Sequence, residues 1–416
     1  FRDSGAFAEM ASNEEPLELE RKETIAKKLV FAEFIFITAV AMVIPTRAPI
    51  VLGLKKGDAT AAGKILGLMS SSAAFIELFI NPVFGQLSDM FGRKPFFLIP
   101  PAIDAFLHTL VAVFPSALPV NFVDRMITGS MIIAFKAPLT ASLSDLFTGP
   151  KLAEWLARQN AAFGLGLGLG PFLGSTIGGA KSFFWSSVVF VATAIYAQTV
   201  LPETLKLENR KKEFNLEACS PLRFLKLFQA KTTSILTLVV GMQSFGDYLN
   251  LYDMNYLFLK KVFDVGQTGI GRYATAVGIT QFISGQTMAK SIGTLGQQGA
   301  TFFSNTMWAV AMALFGTSTT MGQVGASLIA MCFGHARNAA VTAYIQKHGQ
   351  AAGMGKSEIS AAQANFTALL KVFIPLFYAN IFVKATSNGR NMPGTPYLVV
   401  ALITALSQML FWTNDP

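Results

Sequence analysis

Long apolar runs alternate with short polar breaks along the whole chain. Six runs come first, at residues 30–50, 63–84, 95–114, 119–147, 157–179 and 183–201. Six more follow at 232–259, 269–288, 299–317, 322–346, 357–383 and 395–412. Each is long enough as a helix, at about 1.5 Å per residue, to cross a hydrocarbon core of about 30 Å. Between the two sets lies a longer polar stretch rich in Lys and Arg, including Lys206, Arg210, Lys211, Lys212, Arg223, Lys226 and Lys231. The pattern predicts an all-α, integral, multi-pass membrane protein with twelve transmembrane helices in two pseudo-symmetric six-helix halves. A cavity is expected between the halves at mid-membrane. The domain division follows: a polar tail at 1–29, a first bundle at 30–201, a basic linker at 202–231 and a second bundle at 232–416.

Parity assigns the sides. Loops after an even number of helices share a side with the N-terminus, and they carry Arg93, Lys94, Lys151 and the basic linker. The positive-inside rule makes that side cytoplasmic or its organellar equivalent, and predicts a cytoplasmic tail and linker. Lys55-Lys56 and Lys260-Lys261, each just after the first helix of a half, are a trace of an internal repeat. The second-half counterpart of the 85–94 loop, at 290–298, keeps Gly293 and Gly296 but has no Asp and no Arg-Lys pair.

Composition agrees with the pattern. Of 416 residues 52% are hydrophobic and 14% charged, well below the soluble average of about a quarter charged. A net charge of +9 is scattered over short loops, which argues for membrane orientation and against nucleic acid. Cys219 and Cys332 stand far apart, so neither a disulfide framework nor a metal site is expected. With no phosphate-binding loop, nucleophile elbow or clustered His/Cys set, neither enzymatic chemistry nor a cofactor is expected. The chain opens on Phe1 and stops at Pro416 just after an apolar run, and native termini are expected beyond both.

Candidate chemistry begins at Gly85, Gln86, Leu87, Ser88, Asp89, Met90, Phe91, Gly92, Arg93 and Lys94, a polar turn between the second and third runs. These residues resemble the signature loop of the major facilitator superfamily, Gly-x-Leu-x-Asp-Arg-x-Gly-Arg-Lys, with Met90 in place of the usual Arg. Three more stretches are similar to its twelve-helix drug/proton antiporters, the tetracycline exporters among them. Arg125 and Gly129 match an Arg-x-x-x-Gly element in helix 4. Gly166, Gly170, Pro171 and Gly174 match the antiporter signature of helix 5, with Ser175 in place of its last Gly. Leu201 to Leu205 match a Pro-Glu-Thr element that ends helix 6. The resemblance implies a major facilitator fold and secondary active transport by alternating access, through antiport or ion coupling.

Asp145 ends helix 4 on the side of the signature loop. It is expected to pair with Arg93, while Asp89 accepts hydrogen bonds at a helix N-terminus of the other half, so that Gly85, Asp89, Gly92, Arg93, Lys94 and Asp145 latch one conformation. The alternative is that these charges only pin a loop at the headgroups. Pro171 within the glycine run is expected to make helix 5 a bending point. The tetracycline exporters carry an Asp on helix 1. Here that region reads Phe34-Ile35-Phe36-Ile37, and the nearest acid is Glu33.

Charges inside the spans are expensive and mark a pathway. Arg47, Glu77, Lys136, Asp247, Arg337 and Lys371 fall on helices expected to line the cavity. Four bases against two acids favour an anionic solute, unless the charges pair among themselves. Glu77 and Asp247 are the expected proton carriers. Asp104 and His108, one turn apart on helix 3, are expected to satisfy each other. The partners implied are a small-molecule solute, protons and the lipid bilayer. Three functions stay open: solute antiport, exchange of organic anions or phosphorylated metabolites, and a transporter-derived subunit of a membrane complex.

Overall fold

The computed structural model describes residues 16–147, 149–214, 220–354, 356–387 and 391–413; almost all are helical, with no strand among them. Glu14 and Glu15 of the tail, and Glu217 and Cys219 of the linker, lie outside the described residues. Twelve spans form two six-helix halves. Span 1 is Pro16–Met42 continued by Ile44–Leu54. Spans 2 to 6 are Ala59–Phe91, Pro95–Val113, Leu118–Leu146, Gly149–Ile177 and Gly179–Val200. Span 7 is Lys231–Ser244 followed by Tyr248–Phe263. Spans 8 and 9 form one helix, Gln267–Gly316, kinked at Gly296, where φ is +70°. Span 10 is Met321–Gly334 followed by Asn338–Ala351, and spans 11 and 12 are Lys356–Thr386 and Thr395–Thr413. Among the described residues seven helices are long and apolar enough, by length and composition, to cross a membrane.

Several elements differ from the sequence expectation. The tail is not separate from residue 16 onward: it is the first part of span 1, with Ala26 and Leu29 fully buried. The signature loop is shorter than it reads, since Gly85 to Phe91 are helical and only Gly92, Arg93 and Lys94 turn. The 290–298 loop is helical up to the kink at Gly296. Spans 1, 7 and 10 are each broken in mid-course. Pro45 lacks an N–H and breaks span 1, while Gly246 and Gly334 stand at the breaks in spans 7 and 10. Ser284 of span 8 accepts from the freed Ala336 N–H at 3.0 Å, and Arg337 Nη2 donates to the Gln243 carbonyl at 2.5 Å. A break inside a membrane survives only where protein groups take over the freed backbone in this way.

Helix 5 is the reverse case. Span 5 runs unbroken through Pro171. Its glycines serve close packing. A Cβ at Gly166 or Gly170 would meet Ile37 or Ala41 of span 1 at 3.0 and 2.5 Å, and one at Gly174 would overlap the Met42 carbonyl. On another face Gly278 of span 8, where a Cβ would lie 3.0 Å from the Gly168 Cα, lets the two helices approach, and the Gly168 carbonyl accepts from Thr275 Oγ1 at 2.9 Å. Small residues at four-residue spacing give such contacts in membranes because dispersion, and not water exclusion, holds helices together there.

The first half has its own aromatic core, with Phe36 stacked on Phe135 at 4.2 Å and Phe97 and Phe190 beside them. A second core joins the halves on the side away from the linker. It unites Ala48, Val51, Ala62, Leu66 and Met69 of spans 1 and 2 with Leu251, Leu257, Tyr378 and Phe382 of spans 7 and 11. Gly67 meets Ala379 there so closely that a Cβ would lie 2.6 Å from its methyl. The halves are therefore sealed on the far side.

Gly170→Val should overpack the contact of spans 1 and 5 and cost about 1–3 kcal/mol. The purified protein would then melt at a lower temperature, whereas Gly164→Ala, which meets nothing within 4 Å, should melt like the parent.

Candidate solute cavity and its ion pairs

A cavity of about 240 Å³ lies at mid-span, mostly within the first half and closed on one side by spans 7 and 11. Its wall holds four bases, Arg47, Arg125, Lys136 and Lys371, and three carboxylates, Glu77, Asp104 and Asp253, with His108 beside them. The remainder is largely aliphatic, with Phe163 and Phe190 and no methionine.

Two links in this wall cross between the halves. Lys371 Nζ of span 11 stands 3.3 Å from Glu77 Oε1 of span 2. Ser70 Oγ donates to Asp253 Oδ2 of span 7 at 3.0 Å, and Arg125 Nη2 reaches Ser70 Oγ at 3.4 Å. Gly129 makes room for that guanidinium: a Cβ there would lie 2.8 Å from Ala73 and 3.5 Å from Arg125 Nη1. The other links stay inside one half. Arg47 Nη1 pairs with Asp124 Oδ2 at 2.6 Å, both buried. Among the described residues Lys136 has no carboxylate within 4 Å; its ammonium lies 4.3 Å from the Phe163 centroid and 3.4 Å from Asn160 Oδ1.

Asp247 and Arg337 do not line this cavity. Arg337 is buried at the breaks of spans 7 and 10, stacked 4.4 Å over Trp308 and 3.3 Å from Asp247 Oδ1. Gln243, Asn305 and Gln408 extend the network through bonds of 3.0 and 2.7 Å. Only glycine fits at 246, where a Cβ would strike Trp308 Nε1 at 2.6 Å. Broken backbone, more than solute, explains why an Arg is needed here. Asp104 and His108 also do not satisfy each other. His108 Nδ1 bonds Ser186 Oγ at 2.9 Å and its Nε2 faces Asp124 Oδ1 at 3.5 Å, while both Asp104 oxygens lack a partner. Glu33 is fully buried, both oxygens equally unpartnered, and does not line the cavity.

The signature residues gather on the linker side. Arg93 bonds Asp89 Oδ1 at 2.6 Å, Ser88 Oγ at 2.8 Å and Asp145 Oδ2 at 3.3 Å. Asp89 meets no helix N-terminus of the second half; Lys211 of the linker takes that place, with Nζ 2.7 Å from Asp89 Oδ2. Glu203 of the Pro-Glu-Thr element, read from sequence only as a helix stop, accepts from the Arg93 and Lys94 N–H groups at 2.9 and 3.2 Å. It thereby caps span 3 and is met by Arg210 at 3.6 Å. Gly92 is required twice, for its φ of +98° and because a Cβ would overlap the Glu203 carboxylate. Gly85 is open on all sides and carries no such demand. Basic residues spaced through the linker were the available sign of this docking.

Two six-helix halves around a charged mid-membrane cavity are the architecture of membrane solute carriers. The chain belongs to the Major Facilitator Superfamily, whose sequence model matches residues 29–369. It is 28% identical over 177 residues to the tetracycline resistance protein, class B, of Escherichia coli, which covers 42% of this chain and 43% of that protein. Against the class H protein of Pasteurella multocida it is 23% identical over 327 residues, covering 76% and 79%. The chain thus spans less than half of the first of these relatives. The fold is similar to the crystal structure of the human organic anion transporter MFSD10 (TETRAN), with a TM-score of 0.70 at 18% identity, over 95% of this chain and all of that one.

Arg337→Met would leave Asp247 and the Gln243 carbonyl without their donor, and breaking a buried pair typically costs about 3–5 kcal/mol. The melting temperature should fall steeply in that variant, and only slightly in Lys136→Met, whose ammonium has no ion pair to lose.

Proposed function

We propose that this protein is a secondary transporter that carries a small organic solute by alternating access. The observation that supports this most is the Glu77–Lys371 pair, which spans the two halves in the wall of a mid-membrane cavity. A proton or an anionic solute group that captured one member would weaken the link between the halves. An ion pair can bias two conformations only by such a difference in binding. Glu77 is the residue that carries the coupling proton, and the solute replaces it or joins it at Lys371. The linker side, cytoplasmic by its charge, is where the cavity opens when the far side is sealed. There Arg93, Asp89, Asp145, Glu203 and Lys211 hold the first half and the linker together. Asp247, held by Arg337 away from the cavity, is not a coupling residue in this reading.

The solute class that fits is an organic anion. Bases outnumber carboxylates in the wall, and Lys136 is a base there without a carboxylate partner. A protein of the same fold is described as an organic anion transporter, which supports the same class. Tetracycline itself fits less well, because the helix 1 acid of its exporters has no counterpart at Phe34 to Ile37. A non-transporting subunit would have little use for this wall, since buried charges are kept at a cost.

A thermal-shift panel of organic anions, phosphorylated metabolites and lipophilic cations would test the class. An anion at a hundred times its dissociation constant should add about 2.7 kcal/mol of stability, and Lys136→Ala should abolish the shift. A shift from cations alone would return the reading to drug export, and no shift from any class would favour the subunit. In proteoliposomes, Glu77→Gln should lose uptake or efflux driven by a pH gradient while solute counterflow continues. Asp247→Asn should keep both.

A further inference from the structure

The wall of the cavity on spans 1, 3, 4 and 6 holds a group of charges that the Glu77–Lys371 pair does not use. Arg47 and Asp124 form its ion pair, at 2.6 Å. Asp104, fully buried one turn before His108, has no hydrogen-bond donor for either oxygen. His108 is equally enclosed, between Phe183 and Phe190 with ring centroids 5.3 and 5.2 Å away. Its tautomer follows from Ser186. That hydroxyl donates its one hydrogen to the Ala39 carbonyl at 2.7 Å, so it must accept from His108 Nδ1. Nε2 is then the unprotonated nitrogen, and it faces Asp124 Oδ1 at 3.5 Å.

Charge balance decides what this group holds. Arg47 contributes one positive charge, and Asp104 and Asp124 contribute two negative ones. Arg125, the next residue on span 4, turns to Ser70 and Asp253 of the other half and is balanced there. One uncompensated negative charge would remain in a region shielded from water, at a cost of several kcal/mol. A single proton removes it. Asp124 already has Arg47, whereas an ionised Asp104 would have no donor at all, and a neutral carboxyl is far cheaper to bury unpaired. We infer that Asp104 binds one exchangeable proton in the wall of the cavity. The site is independent of the Glu77–Lys371 pair and stands whether or not that pair couples transport.

The test is infrared spectroscopy of the purified, reconstituted protein, reading the carbonyl stretch of a protonated carboxyl. Labelling with [4-13C]aspartate separates Asp104 from the buried Glu33. At pH 7 the wild type should show one such aspartic band, absent from Asp104→Asn. Asp124→Asn should also lose it although Asp104 is still present, because Arg47 is then balanced by ionised Asp104. No aspartic band in the wild type, or a band that survives in Asp104→Asn or Asp124→Asn, would overturn the proton site. Should Asp124→Asn fail to fold, the wild type and the isosteric Asp104→Asn decide the matter alone.

Discussion

A charge within a bilayer must find a partner inside the protein, and the interior of this molecule is arranged around that demand. Arg47 with Asp124, Arg337 with Asp247, Lys371 with Glu77, and Arg125 through Ser70 with Asp253 each tie two or more spans together. The first two lie within one half. The last two cross from one half to the other, so any relative motion of the halves must break them or trade their partners. Pairs within a half brace its spans against each other, and the pairs of Glu77 with Lys371 and of Ser70 with Asp253 hold one half to the other.

Backbone breaks follow the same rule. Spans 1 and 7, each first in its half, are both interrupted, and span 10 is interrupted beside span 7. The carbonyl freed in span 7 is filled by Arg337 from span 10, and the N–H freed in span 10 is filled from span 8. Glycines at 246 and 334 admit Trp308 and Arg337 to do this. Span 5 stays whole through Pro171, and Gly166, Gly170 and Gly174 are spent on close contact with span 1. Where glycine sits next to a partner backbone it tightens a helix pair; where it sits next to a break it makes room for the side chain that mends it.

On the linker side the charged loop does not bridge to the second half. Lys211 holds Asp89, Glu203 caps span 3 and Arg210 meets Glu203, so the first part of the linker is fastened to the first half. Its second part, the short helix Pro221–Phe228, packs Phe224 and Phe228 against Phe366 of span 11. One strap therefore grips both halves on the side where they are less tightly joined.

Hydrophobic periodicity by itself determined the class, the number of spans and the division into halves, because burial in lipid dictates length and composition residue by residue; the polar turn it set at Gly85 to Lys94 is confined to Gly92, Arg93 and Lys94. The resemblance to the superfamily put Arg47, Glu77, Lys136, Asp247, Arg337 and Lys371 on cavity-lining helices; Arg47, Glu77, Lys136 and Lys371 do line the cavity, and Asp247 and Arg337 do not. Only the tertiary structure decided which charge faced which. Asp104 and His108 stand one turn apart yet do not meet, since His108 turns to Ser186 and Asp104 has no partner among the described residues, while Arg337 fills a broken backbone and does not line the cavity. The role of Glu203 emerged only when residues 110 apart met at the start of span 3. Pairing depends on rotation and depth of helices distant in sequence, and a single chain's pattern of apolar and polar residues contains neither.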